Sequence, residues 1–563
     1  MKPFDFFSRI YTNKRMVGAL SSHKEFRVLL VYPNLHMILV PSTAIAIFTR
    51  ILKEEGMTVD LFDTTYYDHG DTISVEKRVE TLQARPFNPE RDIHFKAIPS
   101  ERLVPDFVEK VESFRPQLIL FSVVEDTFKQ ALRLLDAISD KNIPTVMGGV
   151  FPTAAPEVAL SFPSVKMVGV GEGEEVVRSI ALAVRDHQPL DSIPNLWIKK
   201  DNGQIIKNKM APLIDLNKPW PDFSLFPENR FLRPLGGRIF KTVPLESYRG
   251  CPFKCTFCNS PMQVNLSKNA GLGNFLRRKK ISRLRDEILY LIDQHHLEYF
   301  YFVDDSFLSR PEYELDDFIK MYSDIKIPFW FNTRPEGVTQ EKLQKLKEVG
   351  LDRMSVGLEC GNEIFRQKKL LRMPTNKTLL KHFDILADGG VAFSINNIIG
   401  FPEETRELIF DTIEFNRQMR GFDTLTVSIF TPYHGTFLRQ RAIELGYLKS
   451  GTFTTHTTSS SLLNMPHLTS EQIDGIFRVF MLYVNFEKDL WKDIERAEKF
   501  DEKGNKIFRE LFILYQQKFY KTDQDGKPLR QALAVEDNTH PIKHPKGDHW
   551  EEVFGPMSKT EMR

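Results

Sequence analysis

Apolar and polar positions alternate in two successive blocks along the chain, and both have the pattern of α/β structure. In the first block, five apolar runs of strand length are separated by stretches with helical spacing: 27–33, 57–64, 117–124, 143–149 and 164–171. Helical patterns at 42–55, 103–114, 128–142 and 174–186 lie between or after them. This order predicts a doubly wound parallel sheet over residues 25–190, interrupted by an irregular insertion at about 66–100.

The second block, residues 241–450, repeats the alternation six times. Its apolar runs lie at 243–248, 298–307, 328–334, 353–359, 392–400 and 425–433, each followed by a loop or a helical stretch. Six strand–helix units predict a partial (β/α)6 barrel, with its chemistry at the carboxyl ends of the strands. Residues 191–240 form a linker with a predicted hairpin at 196–209. Residues 1–24 are predicted as an N-terminal arm and 451–563 as a mainly helical C-terminal domain.

Composition narrows the class of protein. The 563 residues include 76 Lys+Arg and 75 Asp+Glu, a formal net charge of +1, so we expect no nucleic-acid partner. We find neither a secretory signal nor an apolar run of about 18 residues, and therefore expect a cytoplasmic protein without a membrane span. Four cysteines are too few for a disulfide-stapled scaffold.

Three of these cysteines, Cys251, Cys255 and Cys258, lie within eight residues. Soft thiolates in so tight a loop select an iron–sulfur cluster or zinc. Three protein ligands would leave one metal position open, which is typical of a catalytic centre. A structural zinc completed by a distant residue and three unrelated thiols remain as alternatives, because Cys360 is about a hundred residues away.

The segment CPFKCTFC (251–258) resembles the cluster motif of radical S-adenosylmethionine (SAM) enzymes. Four later segments resemble that family in the same order: FVDDSF (302–307), SVGLECGNE (355–363), NNIIGFPEET (396–405) and SIFTPYHGT (428–436). The resemblance implies that Cys251, Cys255 and Cys258 hold a 4Fe–4S cluster whose open iron binds SAM. Reductive cleavage of SAM would then give a 5′-deoxyadenosyl radical that abstracts hydrogen from the substrate.

Five further residues are candidate SAM contacts on this resemblance: Asp304, Arg334, Glu359, Asn396 and Pro432. For two of them a structural role is an alternative, since Asp304 could cap a helix and Arg334 could form an ordinary ion pair. Cys360 replaces the usual Ser of its segment, and we interpret it as a buried apolar residue. The role of His434 is left open.

The placement of the first block before such a barrel resembles the cobalamin-dependent subfamily, whose Rossmann-like (flavodoxin-like) domain holds cobalamin. Candidate cobalamin contacts lie at the predicted strand ends: Ser122, Glu125, Gly148, Gly149 and Gly171. The Asp-x-His-x-x-Gly motif that supplies a cobalt ligand elsewhere is missing from the first loop, so we expect cobalamin to bind without a histidine on cobalt. A domain that has lost cobalamin and only shapes the substrate pocket is the alternative.

The leading hypothesis is a C-methyltransferase that places a methyl group from methylcobalamin on an unactivated carbon. Its partners would be an unidentified organic substrate and a one-electron donor such as flavodoxin or ferredoxin. Cyclisation or rearrangement without methyl transfer, and a non-catalytic iron–sulfur protein, are the alternatives. Methylthiolation of transfer RNA is disfavoured, because residues 1–250 contain no cysteine for a second cluster.

Overall fold

The computed structural model describes residues 25–68, 75–235 and 238–520. The predicted N-terminal arm, residues 1–24, and the end of the C-terminal region from residue 521 lie outside the described residues. The described part of the chain contains an α/β domain, a second α/β domain and C-terminal helices, in the order that the sequence predicts.

The first sheet has seven strands in the order β2-β1-β5-β6-β7-β8-β9, of which the first five are parallel. Its strands, with the short pair β3 and β4 that stands apart from it, are β1 (Arg27–Tyr32), β2 (Thr58–Asp63), β3 (Tyr67–Asp68), β4 (Ile98–Pro99), β5 (Leu118–Ser122), β6 (Thr145–Gly148), β7 (Met167–Gly169), β8 (Leu196–Lys199) and β9 (Ile205–Lys207). The predicted hairpin, β8 and β9, extends this sheet in the antiparallel sense.

Eight helices surround the strands of the first domain within the described residues: α1 (Thr43–Glu54), α2 (Val75–Glu80), α3 (Pro89–Ile93), α4 (Leu103–Phe114), α5 (Phe128–Asp136), α6 (Val150–Ala154), α7 (Pro156–Ser161) and α8 (Glu174–Arg185). Helix α1 begins where the Ser42 side chain accepts a hydrogen bond from the Ile45 amide, which satisfies an otherwise unpaired N–H group.

Strand β1 shows why this sheet is buried on both faces. Val28 and Leu30 pack into a core that continues into the second domain, whereas Leu29 and Val31 pack into a separate core on the opposite face. All four side chains are fully buried. A strand between two helical layers needs apolar residues at every position, and this requirement explains the unbroken run that the sequence shows.

The second sheet has the strand order β10-β11-β14-β15-β16-β17-β18, parallel from β11 onward. Its strands, with the small hairpin β12 and β13, are β10 (Leu232–Leu235), β11 (Arg238–Leu245), β12 (Tyr248–Arg249), β13 (Arg277–Arg278), β14 (Tyr299–Phe302), β15 (Phe329–Thr333), β16 (Leu351–Glu359), β17 (Ala392–Ile399) and β18 (Thr424–Ile429). The sheet is open, because β10 and β18 are its two edges.

Helices α9 to α16 belong to this half-barrel, and α17 to α19 follow it: α9 (Ser260–Asn269), α10 (Ile281–His295), α11 (Glu312–Tyr322), α12 (Gln340–Glu348), α13 (Glu363–Leu370), α14 (Asn376–Gly389), α15 (Arg406–Arg417), α16 (Phe437–Glu444), α17 (Ser470–Asn485), α18 (Trp491–Ala497) and α19 (Glu502–Phe519). Helices α18 and α19 are separate, with four residues between them. Asp501 caps the second by accepting a hydrogen bond from the Gly504 amide.

The insertion of the first domain covers the open edge of the half-barrel. The Val427 amide of edge strand β18 donates to Gln83 Oε1 at 2.8 Å. An edge strand has unpaired backbone groups, and this contact satisfies one of them. The insertion therefore joins the two domains rather than forming a separate surface loop.

Candidate active site

The three clustered cysteines lie in the loop between β12 and α9, at the carboxyl end of the first parallel barrel strand, β11. Cys255 is buried, and Cys251 and Cys258 are half-buried. The Ser260 amide at the start of α9 donates to Cys258 Sγ at 3.4 Å. Hydrogen bonds of this kind stabilise thiolates that ligate a cluster.

Burial raises the pKa of the Cys251 thiol to about 11 and of the Cys258 thiol to about 12. With these pKa values, neither thiol would be ionised near neutral pH in the absence of a metal. Because the thiolate is the form that binds metals, cluster binding would deprotonate both. Within residues 25–68, 75–235 and 238–520, no three His, Cys, Asp or Glu side chains are placed to hold one metal ion. A four-iron cluster takes thiolates on separate irons, so the loop fits a cluster better than a single zinc ion.

Asp304 holds the start of the cysteine loop. This buried carboxylate accepts hydrogen bonds from the amides of Ser247 at 2.8 Å and Tyr248 at 3.0 Å, and also from the Ser247 hydroxyl. Arg310 donates to it at 2.7 Å. Asp304 was predicted as a SAM contact. Because both of its carboxylate oxygens are engaged in these hydrogen bonds, it is placed to position the cysteine loop. Its neighbour Asp305 faces a cavity and accepts from Ser260 at 2.9 Å.

Arg334 lies beside the cluster loop. Its Nη1 is 3.9 Å from Cys255 Sγ, and its guanidinium is stacked 3.8 Å from the centre of the Phe253 ring. Glu336 pairs with it at 2.5 Å, while its buried Nε has no hydrogen-bond partner within the described residues. The side chain combines an ion pair with a free donor group, so it can contact both the cluster region and an anionic ligand such as a SAM carboxylate.

The remaining candidate SAM contacts lie at the ends of the later strands. Glu359 ends β16 with a φ of 70°, and its carboxylate is 3.4 Å from Arg372; burial raises its pKa. Asn396 Oδ1 accepts from Thr426 at 2.9 Å. The Pro432 carbonyl accepts from Arg439. Glu359 lies on β16 and Asn396 on the neighbouring parallel strand β17, so both are at the same end of the barrel.

A cavity of about 380 Å³ lies between the strand ends of the first domain and the cysteine loop. Four of the five candidate cobalamin residues line it: Ser122, Gly148, Gly149 and Gly171. Its apolar wall is formed by residues of several elements of the first domain: Ile47, Leu120, Val146, Val176, Val177 and Ile180. From the barrel side, Tyr248, Gly250 and Asp305 complete it.

Two of the glycines that line this cavity have no room for a side chain. A Cβ on Gly149, whose φ is +115°, would lie 2.3 Å from the Val123 carbonyl oxygen. A Cβ on Gly171, whose φ is +91°, would lie 2.6 Å from the end of the Met210 side chain. Only glycine fits at the first position, because the obstructing atoms are backbone. Because Gly148, Gly149 and Gly171 carry no side chains, a ligand in the cavity can approach the main chain closely there, as the tail of cobalamin would.

An ion cluster joins the two domains at the rim of the cavity. Arg249, two residues before Cys251, pairs with Glu172 at 2.8 Å, Glu174 at 2.9 Å and Glu246 at 2.8 Å. Arg277 also pairs with Glu172. None of these charged residues was among the candidates predicted from the sequence, although Glu172 directly follows the candidate Gly171.

Glu125, the fifth candidate cobalamin residue, is placed at another contact between domains. Its buried carboxylate accepts from the His434 amide at 2.9 Å and faces His434 Nδ1 at 2.7 Å. The Thr454 amide donates to it at 3.0 Å. Beside it, Asp126 accepts from Tyr433 and Thr454, and burial raises the pKa of Asp126 to about 7. His434, whose role the sequence left open, therefore takes part in a contact between the two domains.

Cys360 is buried and lies at the end of β16. Thr412 is within 3.8 Å of its sulfur, and burial raises the pKa of this thiol to about 12. A thiol of such low acidity in an apolar site is unreactive, which agrees with the interpretation of Cys360 as a packing residue.

Comparisons with known proteins match both domains. Residues 245–415 match the model of the radical SAM superfamily, and residues 89–181 match the model of the B12 binding domain. None of the helices in the described residues is long and apolar enough to cross a membrane.

Curated relatives and a solved structure extend over both domains. The uncharacterized methyltransferase PH0819 of Pyrococcus horikoshii is 27% identical over 407 residues, covering 69% of this chain and 83% of that protein. The anaerobic magnesium-protoporphyrin IX monomethyl ester cyclase of Synechocystis sp. is 24% identical over 365 residues, covering 61% of this chain and 69% of that protein. The cobalamin-dependent SAM radical enzyme OxsB, solved with aqua-cobalamin and SAM bound, has the same fold, with a TM-score of 0.57 at 15% identity over 89% of this chain and 74% of that one.

The chain therefore carries a radical SAM domain, with a B12-binding domain in front of it. It is an enzyme of the radical SAM type, and its predicted cofactors, a 4Fe–4S cluster, SAM and cobalamin, are confirmed at the level of its two domains. The predicted architecture, a B12-binding domain, a half-barrel and C-terminal helices, is likewise confirmed.

Proposed function

We propose that this chain is a cobalamin-dependent radical SAM methyltransferase that methylates an unactivated carbon of a small organic substrate. When bound, the cluster with SAM supplies a 5′-deoxyadenosyl radical, and cobalamin supplies the methyl group. The single observation that supports this most strongly is the cavity shared by the two domains. Gly148 and Gly149 line it from the B12-binding side, and Tyr248 and Gly250, next to Cys251, line it from the barrel side.

The residues of the chain have separable roles in this proposal. Cys251, Cys255 and Cys258 would hold the cluster, and Asp304 positions their loop through the amides of Ser247 and Tyr248. Glu359 and Asn396 would hold SAM at the strand ends, with Arg334 opposite its carboxylate. Buried apolar side chains beneath the cavity exclude water from the reactive species.

The Arg249 cluster and the Glu125–His434 contact keep the two domains in one arrangement. Each combines polar or charged groups from both domains, so neither contact survives separation of the domains. The distance between the cofactors determines whether a substrate radical meets the methyl donor, and these contacts would therefore act on the reaction without touching the substrate.

A ring-forming reaction without methyl transfer is the second candidate, since one relative is named as a cyclase. The two functions differ in their products. Methyl transfer forms S-adenosylhomocysteine together with 5′-deoxyadenosine, whereas the cyclisation forms no S-adenosylhomocysteine. Quantifying both by mass spectrometry, with deuterated-methyl SAM as the label, tests the proposal; substrate turnover without S-adenosylhomocysteine would overturn it.

A one-electron donor such as flavodoxin or ferredoxin, an organic substrate and a cytoplasmic location complete the proposal. The near-zero net charge supports the expectation that no nucleic acid is bound. Cobalamin is proposed to bind with no histidine on cobalt, because the first loop has no Asp-x-His-x-x-Gly motif.

A further inference from the structure

One face of the half-barrel sheet is polar from strand to strand. Within β17, the side chains alternate between fully buried residues such as Ile395 and half-buried residues such as Ser394. The buried set packs toward the helices, so the half-buried set forms the inner face. That face carries aromatic, hydroxyl and amide side chains on five successive strands: Tyr301, Trp330, Asn332, Ser355, Ser394, Asn396, Thr426 and Ser428.

Hydrogen bonds between neighbouring strands confirm that these side chains share one face. Asn332 donates to the Tyr301 hydroxyl at 2.7 Å, and Trp330 Nε1 donates to Ser355 at 3.0 Å. Ser394 donates to the same Ser355 oxygen at 3.0 Å. A barrel interior filled only for stability would use branched apolar residues, whereas this wall offers hydrogen-bonding groups to a ligand.

Arg233 of edge strand β10 stands over this wall. Its guanidinium lies 5.2 Å from the centre of the Trp330 ring and 6.0 Å from that of Tyr301, and the two rings are stacked 4.0 Å apart. Among the described residues, no side chain forms an ion pair or a hydrogen bond with it. The side chain is only half-buried, so its donor groups are available to a ligand.

Arg78 stands at the opposite edge of the sheet. It donates to Gln83 Oε1 at 2.8 Å and to Ser428 Oγ at 3.2 Å, both of them neutral acceptors. No carboxylate of the described residues lies within ion-pair distance of it, and burial lowers its pKa to about 10. Arg78 is half-buried, and a charge partly removed from water without a counter-charge is costly, so its position is suited to an anion.

We propose that the inner face of the half-barrel binds a small polar substrate carrying carboxylate or phosphate groups at its two ends, with Arg233 and Arg78, at opposite edges of the sheet, as the respective counter-charges. This inference rests on the proposed function and names the substrate class for it. The hydroxyl and amide wall accepts or donates hydrogen bonds to the rest of the molecule, and the Trp330 ring limits how Arg233 can orient. A large apolar substrate would leave these groups without partners.

The test uses holoenzyme loaded with cluster, cobalamin and SAM, and a small-molecule extract of the cells that express it. The extract is divided on an anion-exchange resin into retained and unretained fractions, and each is assayed for stimulation of 5′-deoxyadenosine formation. The variants are Arg233→Gln, Arg78→Gln and the conservative Arg233→Lys. Arg238→Gln is the matched control, because Arg238 is exposed on the adjacent strand.

The retained fraction should stimulate the wild type. Arg233→Gln and Arg78→Gln should each need about tenfold more of it for half-maximal rate, with the maximal rate kept, since a charge-assisted hydrogen bond is worth about that factor. Arg233→Lys should recover most of the loss and Arg238→Gln should match the wild type. Phosphatase treatment that abolishes stimulation would assign a phosphate monoester, and resistance would exclude one and leave a carboxylate or a phosphodiester.

Stimulation only by the unretained fraction would overturn the anion site, as would variants that respond like Arg238→Gln. S-Adenosylhomocysteine is quantified in the same samples. Anion-dependent 5′-deoxyadenosine without S-adenosylhomocysteine would refute methyl transfer while supporting the anion site, so the two proposals fail separately.

Discussion

Replacing Gly149 by alanine should damage the B12-binding domain far more than one methyl group would suggest. Gly149 follows β6 with a φ of +115°, and an added Cβ would lie 2.3 Å from the Val123 carbonyl oxygen and 2.8 Å from the Val123 nitrogen. These are backbone atoms of the neighbouring strand end, and they cannot rotate away. The same nitrogen donates to the Gly148 carbonyl at 2.8 Å, so movement to relieve the clash breaks a buried hydrogen bond.

The expected free-energy loss is the sum of three contributions. A positive φ costs an L-residue about 1–2 kcal/mol, overpacking about 1–3 kcal/mol, and the broken hydrogen bond about 1 kcal/mol. Together they predict a loss of roughly 3–6 kcal/mol, which for a domain of this size lowers the melting temperature by about 6–24 °C. Gly203→Ala is the matched control: its φ is +82°, but no atom lies within 4 Å of the added Cβ, so it has the backbone strain alone.

Thermal unfolding followed by circular dichroism, with cobalamin content after desalting, measures both effects. We expect Gly149→Ala to unfold well below Gly203→Ala and to retain little cobalamin. If the two variants melted within about 2 °C of each other, a difference of under 1 kcal/mol, the steric reasoning would be refuted.

Three other perturbations test the site. Gly148→Ala adds a methyl whose nearest neighbour is the Phe121 oxygen at 3.9 Å, so the melting temperature should not change while equilibrium dialysis shows weaker cobalamin binding. Arg334→Gln removes a positive charge 3.9 Å from Cys255 Sγ and should lower the reduction potential of the cluster in an EPR-monitored titration; an unchanged potential would contradict this. Asp126 has its pKa raised to about 7, so the wild type should lose stability as pH rises from about 4 to 7, and Asp126→Asn should abolish that slope in melting temperature.

Local patterns in the sequence predicted most of the fold. The helix at 103–114 has the predicted bounds, because its amphipathic spacing and flanking turns are encoded within the segment. The predicted helix at 128–142 instead ends at Asp136, and a short 3-10 turn follows at Ser139–Lys141. The hairpin at 196–209 was predicted as part of a linker, and only the pairing of β7 with β8 shows that it extends the sheet.

The candidate site was predictable where chemistry is concentrated in a short segment. The three cysteines and the Gly148–Gly149 pair stand out by spacing and by position at strand ends. The partners of Asp304 and Glu125 could not be recognised from the sequence, because Arg310 and His434 contact them only through tertiary packing. Arg78 and Arg233 were missed for the same reason: their unpaired charge is visible only once their neighbours are known.

The central claim is that one chain binds both a cluster and cobalamin across a shared cavity. The most direct measurement is anaerobic reconstitution with iron, sulfide and hydroxocobalamin, followed by desalting and quantification of cobalt, iron and the absorbance spectrum. We expect stoichiometric cobalt together with a cluster band that is lost in the Cys251→Ala/Cys255→Ala/Cys258→Ala variant. A cluster without bound cobalt would contradict the claim and exclude cobalamin as the methyl donor.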